Sequence, residues 1–292
     1  MRRKVLFILA AVVLLGVAAW AIWGLSSSLQ DHAEQDEIFQ RLRKIATEDN
    51  PTDLGPGFRG EGISAASEPS QAVESEEESE LIPMPEAAST SHDIQALQEE
   101  NPECVAWISI EGTDIDYPVM WSPDDPDYYL DHSFEKTSNR HGVPFLDYRC
   151  NINTADNLII YGHHFVEGEM FSALHKYGNY SFYEDHPVIT LETAEEISQY
   201  RIAAVLRVSG TVYPTRWSIF NSLYMNDVEF EEMAQEIEAQ TLYSTGVSPV
   251  YGDHLLTLAT CEYTQKNGRL VVVAVKESNR HLSQRLVKGK RK

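Results

Sequence analysis

Residues Thr257 to Lys276 read "TLATCEYTQKNGRLVVVAVK". An apolar run ends at Cys261, a polar stretch follows with Asn267-Gly268 inside it, and a second apolar run leaves from Arg269. Asn-Gly is a strong turn pair, because both residues tolerate positive φ. Two β-rich runs joined by such a loop predict an antiparallel hairpin. In that hairpin Arg269 begins its strand beside the point where Cys261 ends its own. A thiol and a guanidinium would then share one strand tip, unless the arginine only meets solvent there.

The pattern extends backward from the hairpin. Apolar segments at 105–110, 115–120, 142–146, 158–161, 188–192, 199–209, 255–261 and 270–276 are rich in Val, Ile, Tyr and Thr and are separated by turn residues. Many short strands of this composition predict a mainly β protein closed into a barrel of eight strands, and no glycine-rich phosphate loop interrupts them. Residues 227–241, "DVEFEEMAQEIEAQT", carry Phe230, Met233, Ala234 and Ile237 at helical spacing. A helix is therefore expected between the sixth and seventh strands. A short helix over 93–100, capped by Ser91 or Asp93, should precede the barrel.

The barrel would occupy 91–280, with a basic tail at 281–292. Residues 1–30 hold Arg2-Arg3-Lys4 and then an uncharged apolar run from Val5 to Leu25. That length spans the hydrocarbon core, and the basic cluster places the N-terminus in the cytoplasm and the rest outside the plasma membrane. Ala19-Trp20-Ala21 also resembles a signal-peptide cleavage site. The apolar run continues past it, and a long polar spacer follows, which favours a single-pass anchor. Residues 31–50 have helical spacing, with Ile38, Leu42 and Ile45 on one face, and read as a stalk leaving the membrane. Residues 51–90, with the acidic run "ESEEESE" at 74–80, have too few apolar groups to offset ordering and read as a disordered tether. The net charge of −22 disfavours nucleic acid as a partner.

Three cysteines, Cys104, Cys150 and Cys261, leave at least one thiol unpaired within the chain. A Cys104–Cys150 bridge and two separate buried thiols both fit the count. Their spacing is unlike that of a zinc site. A nucleophilic cysteine needs a basic neighbour and a group to stabilise the oxyanion it generates. The stretch "NLIIYGHHFVEGEMF" (157–171) supplies histidines at a strand tip, His163 and His164, beside Tyr161. His254 lies an odd seven residues before Cys261 and so falls on the opposite strand face. His132, His141, His175 and His186 stand in no comparable context and read as surface or satisfied polar residues.

Taken together, "TLATC" with Arg269 eight residues beyond the cysteine, "YGHH", and the order His, Cys, Arg resemble the sortase family. The likeness extends over 93–277 through "NPECVAWISIEGTDIDYPV" (101–119), "DYYLDHSF" (127–134) and "GVPFLDYRC" (142–150). The inserted helix and the helix before the barrel resemble class B. The resemblance implies a cysteine transpeptidase that needs no cofactor. It would cleave an LPxTG-like or NPxTx-like sorting motif of secreted proteins after threonine, through a thioester. It would then join the product to an amine of a cell-wall precursor or pilin. It assigns Cys261 as nucleophile, His163 as acid and base, and Arg269 as the carbonyl or oxyanion ligand. Leu130, Tyr161, Thr260 and Glu262 are expected to contact substrate. Ala259 departs from the Ser common at that place in class B, and His164 is expected to have no catalytic part. A cysteine protease or hydrolase using water, and an anchored binding module with a buried Cys261, are the other readings the residues allow.

Overall fold

The structure, a computed structural model, describes residues 15–18, 20, 33–47, 92–165, 168–209, 218–262 and 267–277. The expected membrane anchor (apart from 15–18 and 20, which are helical), the tether and the basic tail lie outside the described residues. Among the described residues no helix is long and apolar enough to cross a membrane.

Eight strands form a closed barrel: β1 (Cys104–Ser109), β2 (Asp116–Met120), β3 (Phe145–Leu146), β4 (Asn157–Tyr161), β5 (Val188–Glu192), β6 (Ile197–Ser209), β7 (Leu255–Glu262) and β8 (Gly268–Lys276). Around the barrel the order is β1-β2-β3-β4-β7-β8-β6-β5. The hairpin read from the sequence is present: β7 and β8 run antiparallel from Leu255↔Val275 to Glu262↔Gly268. β4 runs parallel to β7, from Asn157↔Leu255 to Tyr161↔Ala259. Residues 157–160 of β4 and 255–260 of β7 are all buried, so both strands are covered on both faces, in keeping with their near-continuous apolar character.

Four described α-helices of more than one turn attach to this barrel: α1 (33–47), α2 (Ile94–Glu100), α3 (Tyr180–Asp185) and α4 (Asp227–Gln240). Asp93 caps α2 by accepting from the Ala96 N–H at 3.0 Å. α4 lies between β6 and β7, as its spacing predicts, and opens with a capping box of Asn226 and Glu229. That box satisfies N–H groups that have no partner in the helix itself. Phe230, Met233 and Ile237 are its buried face.

The stalk expectation needs correction. α1 is helical as predicted, but it is docked on the barrel rather than set apart from it. Ile38, Phe39, Leu42 and Ala46 are buried. The rings of Phe39 and Tyr117 lie 4.9 Å apart. Gln35 donates to the Gly142 carbonyl at 3.0 Å and accepts from Asn139 at 2.7 Å. Arg43 holds Asp116 at 2.6 Å. The apolar stripe alone could not show what would cover it.

The cysteine count also resolves. All three thiols are free, and Cys104 and Cys150 are buried. Burial pushes the Cys104 thiol up to about 12 and the Cys150 thiol up to about 11. Neither is a thiolate at neutral pH, so neither is a nucleophile.

Candidate active site

One cleft of about 330 Å³ collects residues from β3, β4, β7, β8 and the segments beside them. Leu130, Tyr161, His163, Thr260, Cys261 and Arg269 all line it. Phe145, Phe220 and Ala259 add apolar wall. Glu262, the remaining predicted contact, ends β7 opposite Gly268.

The register brings the site together. Cys261 and Arg269 are direct partners across the β7–β8 ladder. Side chains so placed share a face with Cβ atoms about 4.5–5.5 Å apart. The Arg269 Nη1 donates to the Gly268 carbonyl at 2.9 Å, and among the described residues no carboxylate holds it. Its remaining donors are thus available to an oxygen in the cleft. Cys261 is part-exposed, and its Sγ has no hydrogen bond among the described residues. Thr260 is turned the other way by strand alternation. Its hydroxyl is buried without a partner among the described residues.

His163 follows β4 at the same end, because β4 and β7 are parallel and in register. Its Nε2 lies 2.7 Å from the Leu130 carbonyl. A carbonyl only accepts, so Nε2 carries a proton and Nδ1 is the nitrogen left to exchange one with the cleft. Leu130 therefore matters through its backbone as well as its side chain. Gly162, just before, needs to be glycine. A Cβ there would stand 2.6 Å from the ring of Phe171.

Two cleft residues escaped the sequence reading. Asp147 is almost wholly buried and binds Arg149 twice, Nε to Oδ1 at 2.9 Å and Nη2 to Oδ2 at 2.8 Å. It also accepts from the Tyr161 hydroxyl at 2.9 Å. Burial by itself would raise the Asp147 carboxyl, but the Arg149 hydrogen bonds and charge outweigh it and hold it below the usual carboxylate range. Burial and the neighbouring Asp147 push the Tyr161 hydroxyl well above the ordinary tyrosine range. Arg149 also donates to the Phe220 carbonyl at 2.7 Å, tying the β6–β7 connection to this wall. The signal was Asp-x-Arg in "LDYRC": Asp147 heads a turn closed by the Cys150 N–H on its carbonyl at 2.9 Å, and its side chain accepts the Arg149 N–H at 3.0 Å, a local bond that aspartate favours.

The histidines divide unevenly. His141 is fully buried, with its Nδ1 3.2 Å from the Asn139 Oδ1 and its Nε2 3.5 Å from the Glu169 carboxylate. His175 falls within the satisfied-polar reading, and its partner is the backbone of the nucleophile: its Nε2 lies 2.8 Å from the Cys261 carbonyl oxygen. Among the described residues no group of His, Cys, Asp and Glu is arranged to hold a metal ion.

A closed barrel with a free cysteine opposite an arginine, and a histidine in the same cleft, defines a class of enzyme that transfers acyl groups through cysteine. Comparison with known proteins gives the family. The sortase domain model matches residues 108–277. Sortase B of Listeria monocytogenes is 33% identical over 184 residues, covering 62% of this chain and 72% of that protein. The solved structure of Clostridium perfringens sortase B is 30% identical with a TM-score of 0.58, covering 63% of this chain and 99% of that one. A Staphylococcus aureus sortase B–substrate complex is 28% identical with a TM-score of 0.57, covering 64% and 85%. The chain belongs to the sortase family, on the class B side, and is a cysteine transpeptidase.

Proposed function

We propose that this protein is anchored in the plasma membrane by the apolar run 5–25, with its barrel outside. There it cuts an LPxTG-like or NPxTx-like motif of secreted proteins after threonine and passes the acyl group to an amine of a wall precursor or pilin. The observation that carries the assignment of residues is the register that sets Cys261 opposite Arg269, in the cleft that also holds His163. The likeness to a sortase B solved with its substrate supports a peptide in that cleft.

The steps follow from the geometry. The Cys261 sulfur, as thiolate, adds to the threonine carbonyl carbon, and the carbonyl oxygen gains the negative charge. Arg269 stabilises that charge with donors that face the cleft. The C–N bond breaks as His163 gives a proton to the leaving amine, and a thioester to Cys261 remains. An incoming amine then adds to the thioester carbon and loses its proton to His163. The C–S bond breaks and the sulfur leaves as thiolate. Tyr161 and Leu130 wall the peptide, Thr260 borders it through its backbone, and Glu262 ends β7 beside it.

The test uses the described barrel with α1, residues 31–292, and fluorogenic LPxTG and NPxTN peptides, with and without triglycine. Cleavage after threonine with transfer to the amine is expected, and is lost in Cys261→Ala. Arg269→Ala should lower kcat about 10²- to 10³-fold, as removal of one oxyanion donor does elsewhere. Cleavage with water as the acceptor throughout would favour a hydrolase. No cleavage of either peptide, with Cys261 inert to iodoacetamide, would overturn the nucleophile assignment.

A further inference from the structure

His163 and Cys261 face one cleft, yet no hydrogen bond joins them: His163 Nε2 is spent on the Leu130 carbonyl, and Cys261 Sγ has no hydrogen bond among the described residues. Something else must hold the two at a working separation. The 3-10 helix Phe171–Gly178 touches both. At its start the Phe171 N–H donates to the His163 carbonyl at 2.9 Å. Its ring packs where a Cβ on Gly162 would stand. One turn further, His175 reaches across. Its ring stacks on His164 with centroids 3.9 Å apart and planes 22° apart, and its Nε2 meets the Cys261 carbonyl at 2.8 Å.

We infer that His175 is a positioning residue for the transpeptidation, a clamp that links the backbone of the nucleophile to the loop carrying the acid–base histidine. The carbonyl of Cys261 only accepts, so His175 must donate from Nε2. Its ring face supports His164, the immediate neighbour of His163. The clamp acts at the one place where β4 has ended and β7 has not: β4 stops at Tyr161, opposite Ala259, and the Gly162 N–H makes the last rung to the Ala259 carbonyl at 3.1 Å. The next carbonyl on that edge is that of Cys261, two residues on. His175 takes the rung that the strand no longer supplies. An untethered strand end would let the nucleophile drift, and a displacement of about 1 Å costs up to 10²-fold in rate.

The inference rests on Cys261 and His163 as the reacting pair, and two substitutions separate its parts. His175→Phe keeps a ring against His164 but has no donor. His175→Gln keeps an amide donor of similar reach but has no ring. Steady-state cleavage of the sorting peptides, thermal unfolding and the rate of Cys261 alkylation by iodoacetamide are read on each. H175F is expected to lower kcat about tenfold with KM nearly unchanged and with unfolding close to wild type. H175Q is expected to stay within about twofold of wild type in kcat. Alkylation needs no peptide, so it changes severalfold in H175F even if the peptides offered are the wrong ones. Absence of cleavage by the wild type would therefore sink the proposed function while the alkylation comparison still judges the clamp. Wild-type kcat and alkylation in H175F would overturn the clamp. So would equal losses in H175F and H175Q, which would trace to packing rather than to the bond.

Discussion

Asp147 shows how one residue can serve both stability and the site. It accepts from Arg149 and Tyr161 while almost wholly buried, so the cleft wall depends on its charge. Its carboxyl is held below the usual range in the folded protein. A depressed carboxyl contributes stability above the unfolded pKa of about 3.9, and that stability is lost as pH falls through the lower folded value. Asp147→Asn should thus cost about 1–3 kcal/mol at neutral pH and flatten the acid limb below about pH 4. Urea unfolding from pH 3 to 7 measures both, and an acid limb as steep as wild type would refute the linkage. The residue scale is also where the sequence was most legible. Local pattern put a thiol, a guanidinium and a His-His pair at strand tips, and the resemblance to sortases then singled out Cys261, Arg269 and, of the two histidines, His163. His175 did not stand out, because its partner is a backbone carbonyl 86 residues away, and such an acceptor leaves no mark in side-chain pattern.

At the scale of elements, the strands and α4 were readable from alternation, turn pairs and helical spacing, since each is decided by local sequence. α1 was readable as a helix but not as part of the domain. Its buried Ile38, Phe39, Leu42 and Ala46 need the barrel to cover them. Burial of a large apolar side chain stabilises by about 1.5–3 kcal/mol. A protein starting at residue 91 should therefore unfold at clearly lower urea than one starting at 31, by several kcal/mol after allowance for chain entropy. Denaturant unfolding of the two forms decides it. Equal midpoints would mean that α1 contributes no net stability to the barrel.

At the scale of the whole molecule, charge is the property that the composition states outright. A net −22 makes the compact state repel itself, and salt screens that repulsion over about 10 Å at 0.1 M. Raising salt from about 10 to about 150 mM should lift the Tm by a few degrees, on the order of 2–4 °C per kcal/mol for a domain of this size. Calorimetry at the two salt levels tests this. A Tm that falls with salt would show that ion pairs such as Arg43–Asp116 and Arg201–Glu277 outweigh the general repulsion.

The sequence by itself determined what neighbours along the chain decide: which segments are strands, where the hairpin turns, and that Arg269 returns beside Cys261. It carried the barrel class for the same reason, and the three residues of the site through their likeness to the sortase motifs. The tertiary structure alone decided what depends on segments far apart in the chain. The parallel pairing of β4 with β7 brings His163 to the Cys261 end of the cleft. The docking of α1, the Asp147–Arg149–Tyr161 group and the hold of His175 on the Cys261 carbonyl each join residues that no local pattern relates. Periodicity records which face of an element is apolar, but not which surface will meet it.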